Sequence, residues 1–290
     1  MNLPADAQPR QRPTHMVIVD SHLFYILIIV LGFFFISCRK SGLTMPEPKF
    51  KIDSINRALL LGTANIHSGY NPFGSSDAFV FNYDNRKNFR SRIGGFFNVV
   101  YSGGSSGIFS PDVYDTVIYR NNTIEVSTHS RNGFYVDPNK RRYTLSNSKI
   151  QLKITYASDL TQGNDTAFFY YGTNQNLDKV VEKFSGSYTI STFSFNSVGN
   201  LDSVLSKTYR TGDNTLLWTI AGKFGDYDNS INPLKYFGIW DETFYRSLTR
   251  NNFRSYHYQK TYGTSTFVSE YGDFKFHLQY DSKGMVDFTK

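Results

Sequence analysis

Residues 150–156, Ile150-Gln-Leu-Lys-Ile-Thr-Tyr156, alternate apolar and polar side chains without a break. Successive side chains of a β-strand point to opposite faces, so this stretch predicts a strand with one buried and one solvated face. The same alternation recurs at 216–220 and at 274–280. A further run begins at Tyr188 and changes phase near Thr192, which predicts a β-bulge there. Strands with one apolar face are typical of antiparallel sheets.

Turn residues separate these runs. Asn121-Asn122, Gly199-Asn200 and Lys283-Gly284 each lie between two strand-like stretches. Glycine and asparagine tolerate the positive φ angles of tight hairpin turns. The composition agrees, because 26 Phe and 21 Tyr favour strands. The predicted fold is therefore mainly β: an antiparallel sheet of successive hairpins, extended or curved, with one or two short helices.

Two segments carry a helical signal. Asn232-Pro233 offers a capping side chain followed by the proline that is favoured in a first helical turn. The apolar residues between Leu177 and Phe184 recur at intervals of three and four, which predicts about two turns of helix.

The N-terminal region has the pattern of an export signal. The fourteen apolar residues from Leu23 to Ile36 would span about 21 Å as a helix, short of the ~30 Å hydrocarbon core of a bilayer. They lead into Phe35-Ile36-Ser37-Cys38, and Cys38 is the only cysteine. This pattern resembles the lipobox of bacterial lipoproteins, although Phe35 stands where leucine is common. The resemblance implies that Cys38 is acylated and that residues 1–37 are removed as a signal peptide. Translation would start at Met1 or at Met16. An ordinary secretory signal with a chance cysteine is the alternative.

We interpret 38–50 as a tether, 51–185 as an N-terminal β region and 186–290 as a C-terminal hairpin region. The two β regions are either separate or one continuous domain.

The formal net charge is +7, but the cations are scattered along the sequence and the densest group is only Lys140-Arg141-Arg142. This distribution predicts a solvated basic surface and no nucleic-acid partner.

A weak repeat marks the C-terminal region. The dipeptide Tyr-Asp occurs at 83, 114, 227 and 280, and segments 195–204 and 280–289 share an aromatic residue, Asp or Asn, Ser, any residue and Gly. Over 186–290 the chain resembles uncharacterised lipoproteins of Gram-negative bacteria built from YD-like hairpin repeats. Those proteins also carry Asn-Pro after a Tyr-Asp, as at 227–233, and a Ser-led stretch ending in Asn-Asn, as at 247–252. The resemblance implies hairpins and an envelope location, but no activity.

Motifs that would indicate catalysis or metal binding are missing from the sequence. The histidines show no metal-ligand spacing, and no G-x-S-x-G motif is present. Oxygen-bearing residues at 226, 228 and 230 resemble the start of a calcium loop, but Ile231 occupies the position that needs glycine. We therefore expect no catalytic residues, no metal and no cofactor.

An aromatic group between 236 and 245 is the best candidate for ligand binding. Tyr236, Trp240 and Tyr245 suit the faces of sugars or an apolar ligand. The alternative is that the aromatic residues in this stretch, spaced three and four apart, form the core face of a helix.

The sequence supports three hypotheses for function. The first is a non-enzymatic binding or scaffolding protein of the cell envelope, anchored through acyl chains at Cys38 in the outer membrane and facing the periplasm. Its partner would be an envelope glycan or protein. The second is a carrier of a lipid or other apolar ligand, which requires an apolar cavity of several hundred Å³. The third is a glycan hydrolase, which requires two carboxylates facing one cleft.

Overall fold

The structure is a computed structural model that describes residues 51–56, 59, 78–101, 104–133, 140–157 and 163–289. Cys38 lies outside the described residues, as do the signal peptide and the tether of the sequence interpretation. Among the described residues, no helix has both the length and the apolar character needed to cross a membrane.

Fourteen strands form one antiparallel sheet in which each strand pairs with its neighbours in the sequence. The strands are β1 (Ser54–Asn56), β2 (Ala78–Tyr83), β3 (Phe89–Tyr101), β4 (Gly104–Arg120), β5 (Thr123–Ser130), β6 (Lys140–Ser146), β7 (Lys149–Tyr156), β8 (Asp165–Tyr171), β9 (Leu177–Lys183), β10 (Ser187–Phe195), β11 (Leu201–Arg210), β12 (Leu216–Tyr227), β13 (Phe253–Tyr262) and β14 (Val268–Lys275). The predicted fold class, an antiparallel sheet of successive hairpins, is confirmed. The sheet continues across residue 186, since β9 pairs with β10.

Three predictions about individual segments are wrong. The strand predicted over 274–280 ends at Lys275, and residues 276–279 belong to no strand. The stretch predicted as helix between Leu177 and Phe184 is strand β9. Leu177 and Val180 are both buried although they are three residues apart, because a register shift lies between them. The phase change predicted near Thr192 is absent, because Thr189, Ser191 and Phe193 are buried in strict alternation. The register shift in β10 comes at its end, between residues 194 and 195.

Three hairpin turns share one geometry. In the turns that begin at Asp84, Asn196 and Asp281, a side-chain oxygen accepts hydrogen bonds from the backbone N–H groups two and four residues later. The backbone N–H of this first residue donates to the carbonyl of the residue four positions later. The carbonyl of the first residue accepts a hydrogen bond from the N–H of the residue three positions later. The fourth position has a positive φ in each case. The Asp or Asn of the repeat thus bonds its own turn backbone, as the sequence pattern indicates.

The connection between β12 and β13 is the only helical part of 163–289. It contains two 3₁₀ turns, Pro233–Tyr236 and Asp241–Thr243, followed by the short helix α1, Phe244–Ser247. Asn232 caps the first turn, because its side-chain oxygen accepts a hydrogen bond from the N–H of Leu234 at 3.0 Å. The predicted Asn-Pro start is therefore confirmed. We call residues 232–249 the inserted segment.

The sheet curves around the inserted segment. Residues of β3, β6, β8 and β12 all contact it, in the pairs Arg92–Glu242, Tyr143–Ile239, Phe169–Phe244 and Phe224–Tyr245. In a flat sheet β3 and β12 would lie nine strand spacings of ~4.8 Å apart, or about 43 Å, which is too far for one short segment to contact both. The face that carries these four strand residues is therefore concave, and we call it the inner face.

The core consists of two apolar clusters on the inner face. One joins residues of β1 to β6 with Phe237 and Trp240, and the other joins residues of β8 to β13 with Tyr245. The C-terminal residues Val286 and Phe288 belong to the first cluster, and the carbonyl of Phe288 accepts a 2.6 Å hydrogen bond from the N–H of Asn56 in β1. Residues 42–290 form one compact unit, so a chain that begins at residue 39 retains every contact described here.

Candidate functional site

The ends of the inserted segment are held together by side-chain hydrogen bonds. Asn232 donates from its amide nitrogen to the carbonyls of Arg246 and Thr249, at 2.6 and 2.9 Å. Thr243 donates to the carbonyl of Phe237 at 2.6 Å. These buried bonds give the segment a fixed shape against the inner face without a long helix.

An apolar pocket of about 380 Å³ opens between the inserted segment and the hairpin ends of β6–β10. Apolar and aromatic side chains form most of its walls. The lining residues that carry the argument are Ile150, Tyr171, Phe195, Tyr236, Phe244 and Leu248. This volume lies within the roughly 300–1,000 Å³ range of sites for small ligands. We call this space the apolar pocket.

The charged groups of the apolar pocket are both cations. Among the described residues, Lys149 and Lys235 line it, and no Asp or Glu does. The Lys149 ammonium donates to the backbone and side-chain oxygens of Gln175 at 2.6 and 2.7 Å and lies 4.7 Å from the centre of the Tyr171 ring. Partial burial lowers the pKa of Lys149, and no carboxylate is present to offset it. The exposed Lys235 sits at the start of the inserted segment.

Tyr171 fixes the wall beneath Lys149. Its hydroxyl donates to the carbonyl of Ile150 at 2.9 Å, which ties β8 to the start of β7. Burial raises the pKa of Tyr171 to about 12, so its hydroxyl remains a neutral donor at physiological pH. The apolar pocket is therefore preformed on this side.

A second and much smaller cavity, of about 30 Å³, lies next to the apolar pocket. Phe169, Gly238 and Phe244 line both spaces. The small cavity also borders three charged side chains, Lys153, Glu182 and Asp241. Its volume suits about one water molecule.

The charges near the small cavity belong to a network of ion pairs that attaches the inserted segment to the sheet. Lys153 contacts Asp241 at 2.7 Å and Arg92 contacts Glu242 at 2.7 Å. Burial alone would raise the pKa of Asp241, but the charges of Lys153 and Arg141 outweigh it and hold that pKa below its usual value. The adjacent carboxylates at 241 and 242 thus have different partners.

Asp115 lies at the centre of this network. Its carboxylate is 1% exposed and accepts hydrogen bonds from Arg92 Nε at 2.8 Å, from Arg141 Nη2 at 3.2 Å and from Thr128 Oγ1 at 2.6 Å. Arg92 also lies over the Trp240 ring, 4.5 Å from its centre. Two buried guanidinium groups therefore share one buried carboxylate.

Glu182 differs from the other acids near the small cavity. Burial raises its pKa, and the nearby charge of Lys153 offsets only part of that effect. Tyr143, on the opposite wall, donates its hydroxyl to the carbonyl of Ile239 at 2.8 Å. The hydrogen bond of Tyr143 holds the inserted segment against β6.

The structure does not bring the three predicted ligand-binding residues to one surface. Trp240 is fully buried and packs against Phe81 and Phe89 of the first core cluster. Tyr245 is buried in the second cluster and borders the small cavity. Tyr236 alone lines the apolar pocket. The alternative of a core position holds for Trp240, although two 3₁₀ turns and a short helix take the place of the single helix that it assumed. Tyr245, which that alternative did not include, is buried as well.

Sequence reasoning missed most of the apolar pocket. Lys149 and Tyr171 lie at the ends of neighbouring hairpins, and Phe195 and Leu248 come from segments far along the chain. No spacing in the sequence connects these positions, because the register of four strand pairs brings them together.

The oxygen-rich stretch at 226–230 makes hydrogen bonds and an ion pair with neighbouring parts of the protein. The Asp228 carboxylate accepts from Ser230 Oγ at 2.6 Å, from the N–H of Asn252 at 3.0 Å and from the Tyr280 hydroxyl at 3.1 Å. Asp226 pairs with Arg254 at 2.5 Å. These contacts link the Tyr-Asp and Asn-Asn motifs of the sequence analysis. Among the described residues, no group of three or more metal-ligating side chains is close enough to hold an ion.

Comparison with known proteins yields similar structures only. A porin-like protein from Bacteroides vulgatus is similar with a TM-score of 0.46 and 9% sequence identity, over 72% of this chain and 84% of that one. A porin-like protein from Bacteroides uniformis is similar with a TM-score of 0.42 and 11% identity, over 72% of this chain and 79% of that one. No protein-family model matches the chain, and no match was found among curated proteins.

Proposed function

We propose that the protein is a lipid-anchored, non-enzymatic binding protein of the cell envelope, attached through Cys38 in the outer membrane and facing the periplasm. Its apolar pocket binds an amphipathic ligand, with the apolar part of the ligand inside and an anionic group at Lys149 and Lys235. The proposal unites the binding and carrier hypotheses of the sequence analysis.

The observation that carries the proposal is the character of the apolar pocket. A volume of about 380 Å³ with mostly apolar walls gains free energy when it encloses apolar ligand surface. The two lysines and the absence of carboxylates favour an anion over a neutral or cationic group. An acyl chain or aromatic body bearing a carboxylate or phosphate has this chemistry.

The hydrolase hypothesis receives no comparable support. Asp241 and Glu242 are engaged in ion pairs, and the cavity beside Asp241 and Glu182 has space for a water molecule but not for a sugar ring. A glycosidase needs two carboxylates about 5–10 Å apart across a cleft that holds the substrate.

A fluorescent amphiphile tests the proposed ligand class. We expect the chain from residue 39 onward to bind dansyl-undecanoate saturably, and its uncharged methyl ester about tenfold more weakly, because the ester forms no charge-assisted bond to the lysines. Leu248→Trp places an indole in the apolar pocket. We expect it to abolish binding of both probes, measured by dansyl emission.

Ile118→Trp is the matched control, because Ile118 is about half exposed on β4, away from the apolar pocket. It should bind both probes like the unaltered chain. Equal loss of binding in the two variants, or equal affinity for acid and ester, would contradict the proposal. The anchor is tested separately: acylated protein should sediment with membranes, and Cys38→Ala should release it.

A further inference from the structure

The strand register assembles a basic aromatic face that the sequence does not reveal. It lies on the outer side of β7–β11, opposite the inner face. Cross-strand pairing places its residues in three rows: Leu152, Phe168, Val181, Ile190 and Lys207; Tyr170, Lys179, Thr192 and Leu205; and Ile154, Thr166, Lys183, Tyr188 and Tyr209. We call this set the basic aromatic face.

The charges of the basic aromatic face have one sign. Lys179, Lys183 and Lys207 point outward, and within the described residues none of the three takes part in an ion pair. The acids of the same strands lie elsewhere. Asp165 and Glu182 share the inner face with Ala167, whereas Asp178 and Asp202 fall at the register shifts near strand ends.

The lysines and the aromatic rings of this face lie against each other. The Lys179 ammonium lies 4.7 Å from the centre of the Tyr170 ring, and the Lys183 ammonium lies 5.5 Å from that of Phe168. Long cationic side chains that cover apolar surface and keep the charge at its rim are typical of membrane interfaces. Tyr170 and Leu205 remain 46% and 39% exposed.

We propose that the basic aromatic face rests on an anionic phospholipid surface. Such a surface offers negative phosphates for the three lysines and an apolar boundary region for the tyrosine, phenylalanine and leucine side chains. A second copy of the chain is the wrong partner, because a two-fold interface through this face would bring six ammonium groups together without a carboxylate. This inference goes beyond the proposed function and does not depend on the ligand of the apolar pocket or on acylation of Cys38.

Vesicle binding tests the proposal on the chain from residue 39 onward. We expect it to float with phosphatidylcholine vesicles that contain phosphatidylglycerol, to ignore pure phosphatidylcholine vesicles, and to dissociate at high salt. Each lysine near a charged membrane contributes a factor of about five to partitioning. Lys179→Gln combined with Lys183→Gln should therefore weaken binding roughly 25-fold.

The matched control removes the same charge from two hairpin turns, with Arg86→Gln and Lys283→Gln. It should leave vesicle binding within about twofold if the face and not the net charge is responsible. Equal weakening in both double variants would overturn the proposal. Self-association without vesicles that is lost in the Lys179 and Lys183 variant would also overturn it, in favour of a protein interface.

A contact probe measures the orientation directly. Brominated lipids should quench the indole of Tyr170→Trp and leave that of Ile118→Trp, on the outer side of β4, unquenched. The native indoles give little background, because Trp240 is fully buried and Trp218 points to the inner face. Equal quenching at 118 and 170 would rule out this face as the contact surface.

Discussion

At the scale of single residues, the buried carboxylate of Asp115 is the most consequential charge in the described interior. It neutralises Arg92 and Arg141, which themselves hold Glu242 and Asp241 of the inserted segment. Burying ions is costly, and a buried network is stable only while each charge keeps its partner. The network is therefore sensitive to the loss of one unit of charge at its centre.

We expect Asp115→Asn to lower the free energy of unfolding by about 3–5 kcal/mol, because it leaves two buried guanidinium groups with one carboxylate too few. Chemical denaturation measures the change. Asp213→Asn is the matched control: Asp213 also pairs with an arginine, Arg210, but that pair is solvent-exposed, so the control should show no measurable change. Similar losses in both variants would show that burial does not decide the effect.

Sequence reasoning identified the aromatic residues of the inserted segment but not their surroundings. The sequence left Trp240 either a ligand-site or a core residue, because residue type and spacing allow both, while its burial depends on strands more than 100 positions away. Its contact with Arg92 follows from the curvature of the sheet. Neither feature has a local signal.

At the scale of structural elements, the repeated turn explains why hairpin positions could be predicted. Asp84, Asn196 and Asp281 each organise the same five-residue turn through one side-chain oxygen. The fourth position requires a left-handed backbone, which glycine provides at 199 and 284 but lysine occupies at 87, with φ of 62°. Left-handed backbone costs a residue with a Cβ about 1 kcal/mol more than glycine.

Exchanging residue types at this position should therefore change stability in opposite directions. We expect Lys87→Gly to raise the free energy of unfolding by about 0.5–1 kcal/mol and Gly284→Lys to lower it by a similar amount. A Cβ at Gly284 meets no atom within 4 Å, so only the backbone preference differs. Denaturation midpoints measure both changes, and shifts of the same sign would refute the common turn geometry.

The helix predicted from Leu177 to Phe184 shows the limit of local patterns. Intervals of three and four fit a helix face, but the register shift in β9 makes the same positions fit a strand with a bulge. The β-branched Val180 and Val181 favour the strand, and pairing with β8 and β10 decides the outcome.

At the scale of the whole described chain, residues close to the C-terminus contact the first strands of the sheet. Phe288 is 3% exposed and shares a cluster with Ile55 and Phe79. Its carbonyl accepts the hydrogen bond from Asn56. The short strand β1 thus depends on residues close to the end of the chain.

We expect Phe288→Ala to lower the free energy of unfolding by about 3 kcal/mol and to accelerate hydrogen exchange in β1 and β2, but not in β9–β11. Phe267→Ala, at a residue that is 77% exposed, should change neither quantity. Uniform acceleration over all strands would indicate that the C-terminal contact supports the whole sheet and not its first strands.

The apolar pocket and the basic aromatic face are properties of this largest scale. Alternation predicted β7 and β10, and turn residues predicted the connection between β10 and β11, but β9 was predicted as a helix. The sequence could not predict the register or the curvature of the sheet. The curvature brings Lys149 and Leu248 to the same pocket, and the register places Lys179, Lys183 and Lys207 on the outer side of the sheet. The scattered cations of the sequence are thus concentrated by the fold.

The position of the inserted segment in the sequence also determines when the contacts of the inner face can form during synthesis. Arg92, Tyr143 and Lys153 are synthesised 150, 96 and 88 residues before their partners Glu242, Ile239 and Asp241. A chain that emerges from its N-terminus can form successive hairpins at once, but the inner face has neither its counter-charges nor the segment that it encloses until late. The nascent protein therefore remains open through most of its synthesis, which is compatible with the export across a membrane that we propose.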